Sequence, residues 1–249
     1  MPRCVFCRTA LGSKNRSNEH VIPRWLQADR GWSTDMLQTG FGVGTQLEID
    51  RNLVMDSMLA GRVCKACNTR WMSGLETRSQ PVIRDLLTNL SQGKIRALSG
   101  EDKFTLTQWS IKTPIACNSF AGDIPISERH IQGFDCARGS SPGRCGVFAG
   151  HLPSRVFGYI QKSHDSPFVL GNHPPRDIRF GLLIDGLALL TVFADFDLGY
   201  TFEIVEGIHE PVWPGRGHEF RSADQINYGG GVEPLKAFVE ALDVRYSLP

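Results

Sequence analysis

Cys64-Lys65-Ala66-Cys67-Asn68-Thr69-Arg70-Trp71 holds two cysteines separated by two residues, with an asparagine directly behind the second. A matching pair, Cys4-Val5-Phe6-Cys7, stands near the start of the chain, and 56 residues separate the two pairs. A C-x-x-C turn presents two thiolates to one ion, and two such turns complete the four-coordinate tetrahedral set that zinc prefers. Cys4, Cys7, Cys64 and Cys67 are therefore the expected ligands of a structural Zn²⁺. The gap is longer than in a single small zinc ribbon, so a subdomain must sit between the knuckles. A redox C-x-x-C is the alternative; it usually opens a helix after a strand in a βαβ unit, and two copies in one chain argue against it. Cys117, Cys136 and Cys145 bring the count to seven. An odd number argues against a disulfide framework, and these three read as free thiols.

Histidine placement narrows the reading. Of the seven histidines only His20 lies in the first 98 residues, in Ser17-Asn18-Glu19-His20-Val21-Ile22-Pro23-Arg24-Trp25-Leu26, between the two knuckles. One ion bound by both cysteine pairs would draw this stretch towards Asn68. Glu19, His20 and Asn68 would then bring a carboxylate, an imidazole and an amide oxygen to one small space.

These residues, in this order, resemble the HNH (ββα-metal) endonucleases. The layout is similar to zinc-stapled members such as the phage Holliday-junction-resolving endonuclease, in which an acidic-His pair lies between two cysteine knuckles and an Asn follows the last cysteine. The longer strings Glu-His-Val-Ile-Pro-Arg-Trp-Leu (residues 19–26) and Cys-Asn-Thr-Arg-Trp-Met-Ser-Gly-Leu-Glu (residues 67–76) look like a group of bacterial HNH proteins with a C-terminal accessory region. Trp109-Ser110-Ile111-Lys112-Thr113 resembles a piece of that region. The specific motifs cover residues 4–76, and past residue 120 the resemblance is faint.

The resemblance implies that His20 is the general base, that Glu19 and Asn68 hold one catalytic Mg²⁺ or Mn²⁺, and that the four cysteines hold the zinc. There are departures. The acidic position, often Asp in the family, is Glu19, whose longer side chain moves the carboxylate by one methylene. The third histidine of the name is replaced by Asn68. The middle Asn has no certain equivalent, Asn52 being a guess.

The chemistry suits these residue types. Phosphodiester hydrolysis needs a deprotonated water in line with the leaving 3′ oxygen, and an imidazole, with an ordinary pKa of about 6.5, takes that proton at neutral pH. A hard cation held by oxygen donors relieves the charge on phosphorus and leaving group. Thiolates prefer zinc and the carboxylate and amide prefer magnesium, so two chemically distinct metal sites are expected. Each residue also has a plainer reading. A lone His after an acidic residue is more often a surface or capping residue, and an Asn behind a knuckle can simply close its turn. Glu76 reads as an exposed helix residue in preference to a supporting carboxylate. Arg24, Lys65 and Arg70 are candidate phosphate contacts, with a solvated surface role equally open.

Charge agrees with a polyanion partner for the first part of the chain. Residues 1–98 hold 14 Lys/Arg against 8 Asp/Glu and the remainder 13 against 18, a net +6 and −5 within an overall +1. With 249 residues, 41% of them hydrophobic and 21% charged, the chain can bury a core and is not a disordered protein. The apolar run Gly186–Ala194 is too short to cross a bilayer, so no membrane partner is expected. The opening Met-Pro-Arg-Cys-Val-Phe-Cys has no secretory apolar stretch, which makes the cytoplasm the default location.

Along the chain, residues 21–27 predict a short helix, the Gly-rich stretch 31–46 a long loop, and 47–55 a strand. Helices are expected over 65–78 and from Pro81 to Leu90, with Pro81 in a first turn. Another starts at Ser99 as cap and runs towards Ala116, where Pro114 kinks or ends it. Strands are expected at 146–152, 156–161, 178–184, 187–193 and 201–205, with Asp185-Gly186 as a hairpin turn. A closing helix covers 233–247, and Pro211–Arg216 reads as a packed loop. The fold class is thus α+β: residues 1–98 an HNH nuclease domain with zinc knuckles, residues 99–249 an α+β accessory domain built on an antiparallel sheet. The expected function is metal-dependent DNA cleavage, with RNA a second candidate substrate and phage defence or restriction the role by resemblance. A homodimer, or a partner protein held by the C-terminal half, is an open alternative. So is a non-catalytic zinc-ribbon protein that binds nucleic acid or regulates.

Overall fold

The computed structural model describes residues 1–32, 36–43, 46–91, 97–121, 126, 134, 145–152, 157–165, 176–194, 199–203, 210–213, 233–241 and 243–247. Helices and mainly antiparallel sheets are mixed throughout, an α+β architecture.

The first layer gathers around the cysteines. Strand β1 (Glu19–His20) pairs antiparallel with β4 (Leu59–Ala60), Glu19 opposite Ala60 and His20 opposite Leu59. Between them lie α1 (Arg24–Arg30), β2 (Met36–Val43), β3 (Gln46–Val54) and a 3₁₀ turn, Met55–Ser57. Pro23 is the N-cap of α1, and Gly31 closes it at φ 70°, a left-handed cap that glycine adopts without steric cost. After β4 the second knuckle opens α2 (Lys65–Cys67), which continues through a π-helical stretch, Asn68–Met72, into α3 (Ser73–Ser91). α3 is a single helix, where the sequence pattern divides it in two. Pro81 lies in its interior, and burial of Leu75, Val82, Ile83, Leu86 and Leu87 outweighs the hydrogen bond a proline forfeits.

Helix α4 (Gly100–Ala121) starts as the sequence predicts. Ser99 Oγ accepts from the Asp102 amide at 3.1 Å while Asp102 Oδ2 reaches the Ser99 amide at 3.4 Å, a reciprocal cap. The helix passes Pro114 and runs on to Ala121. Residues 105–117 are buried without a break, so α4 is packed on all sides along this stretch. α4 has α3 and β4 on one side and the large sheet on the other.

That sheet has seven strands in the order β10-β5-β8-β7-β6-β2-β3: β5 (Cys145–His151), β6 (Gly158–Asp165), β7 (Arg176–Ile184), β8 (Leu187–Phe193) and β10 (Glu210–Trp213), with the β2–β3 hairpin at its far edge. All pairs are antiparallel except β2 with β6. The sheet therefore takes strands from both sides of residue 98. The expected loop over 31–46 is a correction: residues 36–43 form β2, and its pairing with β3 shifts register between Thr39 and Gly40. Glycine inside a strand commonly marks a bulge of this kind. The 233–247 helix is shorter than expected: α5 covers Glu233–Glu240, and Asp243–Ser247 forms β11, paired with β9 (Gly199–Glu203). Pro211–Trp213, read as loop, belongs to β10, while 214–216 fall outside the described residues.

Strand alternation gives the sheet two dry faces. Ile178, Phe180, Leu182 and Ile184 of β7 join the core shared with α4, while Leu183 joins Leu235, Phe238 and Val239 of α5 on the other side. Asp185 (φ 47°) and Gly186 (φ 92°) make the β7–β8 turn, and Arg30 of α1 reaches the Asp185 carboxylate at 3.1 Å. No helix among the described residues is long and apolar enough to cross a membrane.

Candidate metal centre and adjoining polar site

The two knuckles come together through backbone contacts. Val5 donates to the Arg62 carbonyl and Lys65 to the Asn15 carbonyl, which sets the second turn beside the first. Arg8 closes the first turn at φ 64°. Phe6 packs edge-on against Trp71, their centroids 5.0 Å apart.

One ligand atom from each of Cys4, Cys7, Cys64 and Cys67 lies within 4.8 Å of the others. Cys4 Sγ is 3.9 Å from Cys67 Sγ, and Cys7 Sγ is 3.5 Å from Cys64 Sγ. Four thiolates at about 2.3 Å from a tetrahedral zinc stand roughly 3.8 Å apart, so these separations fit one ion. They are much longer than a disulfide bond of about 2.05 Å. The amides of Cys64 and Cys67 donate to Cys4 Sγ and Cys64 Sγ, both at 3.4 Å, as suits sulfurs carrying negative charge. Without a metal the cluster splits: the hydrogen bond with Cys67 lowers Cys4 to about 4 and pushes Cys67 up, while burial pushes Cys64 up. The four cysteines can therefore hold a metal ion such as zinc. Cys117 and Cys145 are buried and form no disulfide, whereas Cys136 lies outside the described residues.

Directly beyond the second knuckle the chain turns into the π-helical stretch that begins at Asn68. Such stretches add a residue to a helical turn and recur at functional sites. Asn68 Nδ2 donates to Ser17 Oγ, and the Asn68 amide also hydrogen-bonds the Glu19 carboxyl. With Nδ2 so engaged, Oδ1 is the atom Asn68 can offer a cation. Glu19 is pushed above the ordinary carboxylate range, chiefly by burial; Glu76 adds to the rise, while Lys112 and the Asn68 hydrogen bond oppose it. An oxygen pair of this kind is a hard donor set, as magnesium or manganese requires. Glu19 and Asn68, two of the residues picked out in the sequence, are thus in contact.

His20, next to Glu19 on the same two-residue strand, has its own partners. Its Nε2 lies 3.1 Å from Asp56 Oδ1 and 3.4 Å from Arg24 Nε. The ring is 14% exposed and Asp56 56%. The nearer carboxylate favours the tautomer with the proton on Nε2, leaving Nδ1 to accept one. Asp56 was not singled out in the sequence. Its only signal there is its place three residues before Leu59, the residue opposite His20, and that signal exists only once the register is known. Asn52 lies in β3 opposite Gln38, and its side chain is outside the described residues.

Glu76 corrects its sequence reading. It is not an exposed helix residue but a half-buried acceptor for Trp25 Nε1 at 3.0 Å, Trp109 Nε1 at 3.2 Å and Lys112 Nζ at 2.5 Å. Of the candidate phosphate contacts, Arg24 lies exposed beside His20, and Lys65 and Arg70 are exposed on α2 and the π-helical stretch. No protein-family model, no curated protein and no solved structure matches the chain.

Proposed function

We propose that the chain is a metal-dependent endonuclease of the HNH type, acting on DNA. The observation that carries this reading is the hydrogen-bonded contact of Glu19 with Asn68, made where a two-strand pair meets the helix behind the cysteine cluster. Glu19 and Asn68 would hold the catalytic Mg²⁺ or Mn²⁺, which supplies Lewis-acid relief of charge at the phosphate. His20 takes a proton from the attacking water at Nδ1 while the water oxygen bonds to phosphorus and the bond to the 3′ oxygen breaks. Asp56 holds the ring from its other nitrogen and offsets the charge the ring acquires. The four cysteines would hold Zn²⁺ as a structural ion, fixing the helix start that carries Asn68.

The test is cleavage of supercoiled, linear, branched and single-stranded DNA, and of RNA, with and without Mg²⁺ or Mn²⁺. His20→Ala is expected to lose about 10²–10⁴ of the rate, the share a positioned general base supplies, with nucleic-acid binding kept. Unchanged cleavage by that variant would remove His20 as base. Metal-independent binding without cleavage would favour the non-catalytic zinc-ribbon alternative.

A further inference from the structure

The two knuckle segments carry charge of one sign. Residues 1–18 and 57–75 together hold seven Lys/Arg and no Asp/Glu, in a chain whose totals are 27 and 26. The fold lays these segments side by side. Arg16 bridges Cys64 in antiparallel pairing. The Lys65 amide donates to the Asn15 carbonyl at 2.8 Å, and the Ser17 and Val5 amides donate to the Val63 and Arg62 carbonyls, both at 2.9 Å. Cations distant in sequence thus share one lobe. Arg3, Lys14, Arg16, Arg62, Lys65 and Arg70 are all exposed. Among the described residues none of the six is ion-paired to a carboxylate. Four thiolates around one divalent ion carry a charge of about −2, which offsets only part of this set. The surplus is a positive field on the surface of the lobe.

Apart from Met1, no large apolar side chain of the two segments is exposed. The lobe therefore lacks the apolar anchors by which a protein partner or a membrane surface is held. Phe6 and Trp71 pack edge-on against each other and neither is exposed, so they form no platform on which unpaired bases stack. What remains is charge, which suits closely spaced phosphates: duplex DNA carries one negative charge per about 1.7 Å of its axis. The lobe also borders the Glu19/Asn68 pair. Lys65 and Arg70 flank Asn68 in the chain, and Asn68 donates to Ser17, the neighbour of Arg16. We infer that the cysteine lobe is a docking surface for the phosphate backbone of duplex DNA, bound without regard to base sequence, with Lys14, Arg16, Arg62 and Lys65 among its contacts. The inference deepens the nuclease reading, and rests on it, by naming the surface that holds the substrate.

The test is fluorescence anisotropy of the full-length, zinc-loaded protein with labelled duplexes of several sequences, without Mg²⁺ or Mn²⁺, over a salt range of about 50–200 mM. Lys14→Gln with Arg16→Gln, and Arg62→Gln with Lys65→Gln, make two double variants. Each is expected to weaken binding alike across sequences. Each is also expected to reduce the slope of log K against log salt by about 2, since one phosphate contact contributes roughly 0.9. Arg84→Gln, which removes an α3 cation already held by Asp29, is expected to leave the slope as it is. Zinc content and circular dichroism check folding. The two pairs lie in separate segments, so one carries the test if the other does not fold. Wild-type slope and affinity in a folded double variant, or an equal loss in Arg84→Gln, overturns the inference. So does a wild-type slope shallower than about 2, or tighter binding of single-stranded DNA, RNA or phosphatidylserine vesicles than of duplex DNA. Cleavage with Mg²⁺ is read in parallel. Duplex binding through these cations with no cleavage by the wild type supports the docking surface and sinks the nuclease reading alone. Cleavage with unchanged KM in both double variants sinks the docking surface alone.

Discussion

At the scale of single residues, a half-buried carboxyl and an imidazole stand side by side with different neighbours. Glu19 is pushed above the ordinary carboxylate range, chiefly by burial. A group whose folded pKa is raised contributes stability that is present below the unfolded value and lost as pH rises through the folded one. At neutral pH the charged carboxylate is therefore a cost to the metal-free fold. Glu19→Gln is expected to raise the melting temperature at neutral pH in the absence of divalent ions, the gain shrinking below about pH 4.3, the ordinary Glu value; thermal melts at both pH values check it. In the proposed mechanism Asp56 acts through His20, whose Nε2 it contacts at 3.1 Å. Asp56→Ala is expected to lower kcat by roughly tenfold or more, part of the 10²–10⁴ of a positioned base, while KM and Mn²⁺ dependence hold. A parallel rise in KM would make Asp56 a substrate contact instead.

At the scale of elements, the knuckles and α5 can each be broken by one change. Cys64 belongs to the four-cysteine cluster, caps α2 and faces Cys7. Cys64→Ser is expected to release the zinc and unfold the knuckle region, read as loss of about one bound zinc per chain together with lost near-ultraviolet signal. On the far face of the sheet, Gly181 lets α5 approach. A Cβ there would come within 2.3 Å of Val239 Cγ2 and 3.2 Å of Leu235 Cδ1. Gly181→Ala is expected to destabilise the fold by about 1–3 kcal/mol, as overpacking in a dense core does, with the amides of α5 the first to lose exchange protection. The same scale shows why β2 reads as a loop in the sequence while β3, expected over 47–55, is legible. Gly40, Gly42 and Gly44 carry no side-chain pattern to read, and only pairing with β3 and β6 reveals the strand.

At the scale of the molecule, α4 ties the cysteine-bearing layer to the sheet. Its Trp109 and Lys112 bond Glu76 on one side, and its Ser110 carbonyl accepts from Thr191 of β8 on the other. Arg30 to Asp185 adds a second link. Expressed alone, residues 1–98 would lose the cover α4 gives to α3 and leave Glu76 without Trp109 or Lys112. That fragment is expected to aggregate or exchange its α3 amides far faster than the full chain; a monodisperse, protected fragment would show the first layer to be self-sufficient.

What the amino-acid sequence determined on its own is local: the C-x-x-C turns, the Ser99 cap, the Asp185-Gly186 turn and the α+β character. Each depends on geometry within a few residues, where residue type nearly decides the conformation. Tertiary structure decided the rest. Asp56 meets His20, and Lys112 meets Glu76, each across 36 positions. Whether a charged side chain is solvated or buried beside a partner depends on which surfaces the fold dries, and nothing within a few residues of Glu76 carries that information.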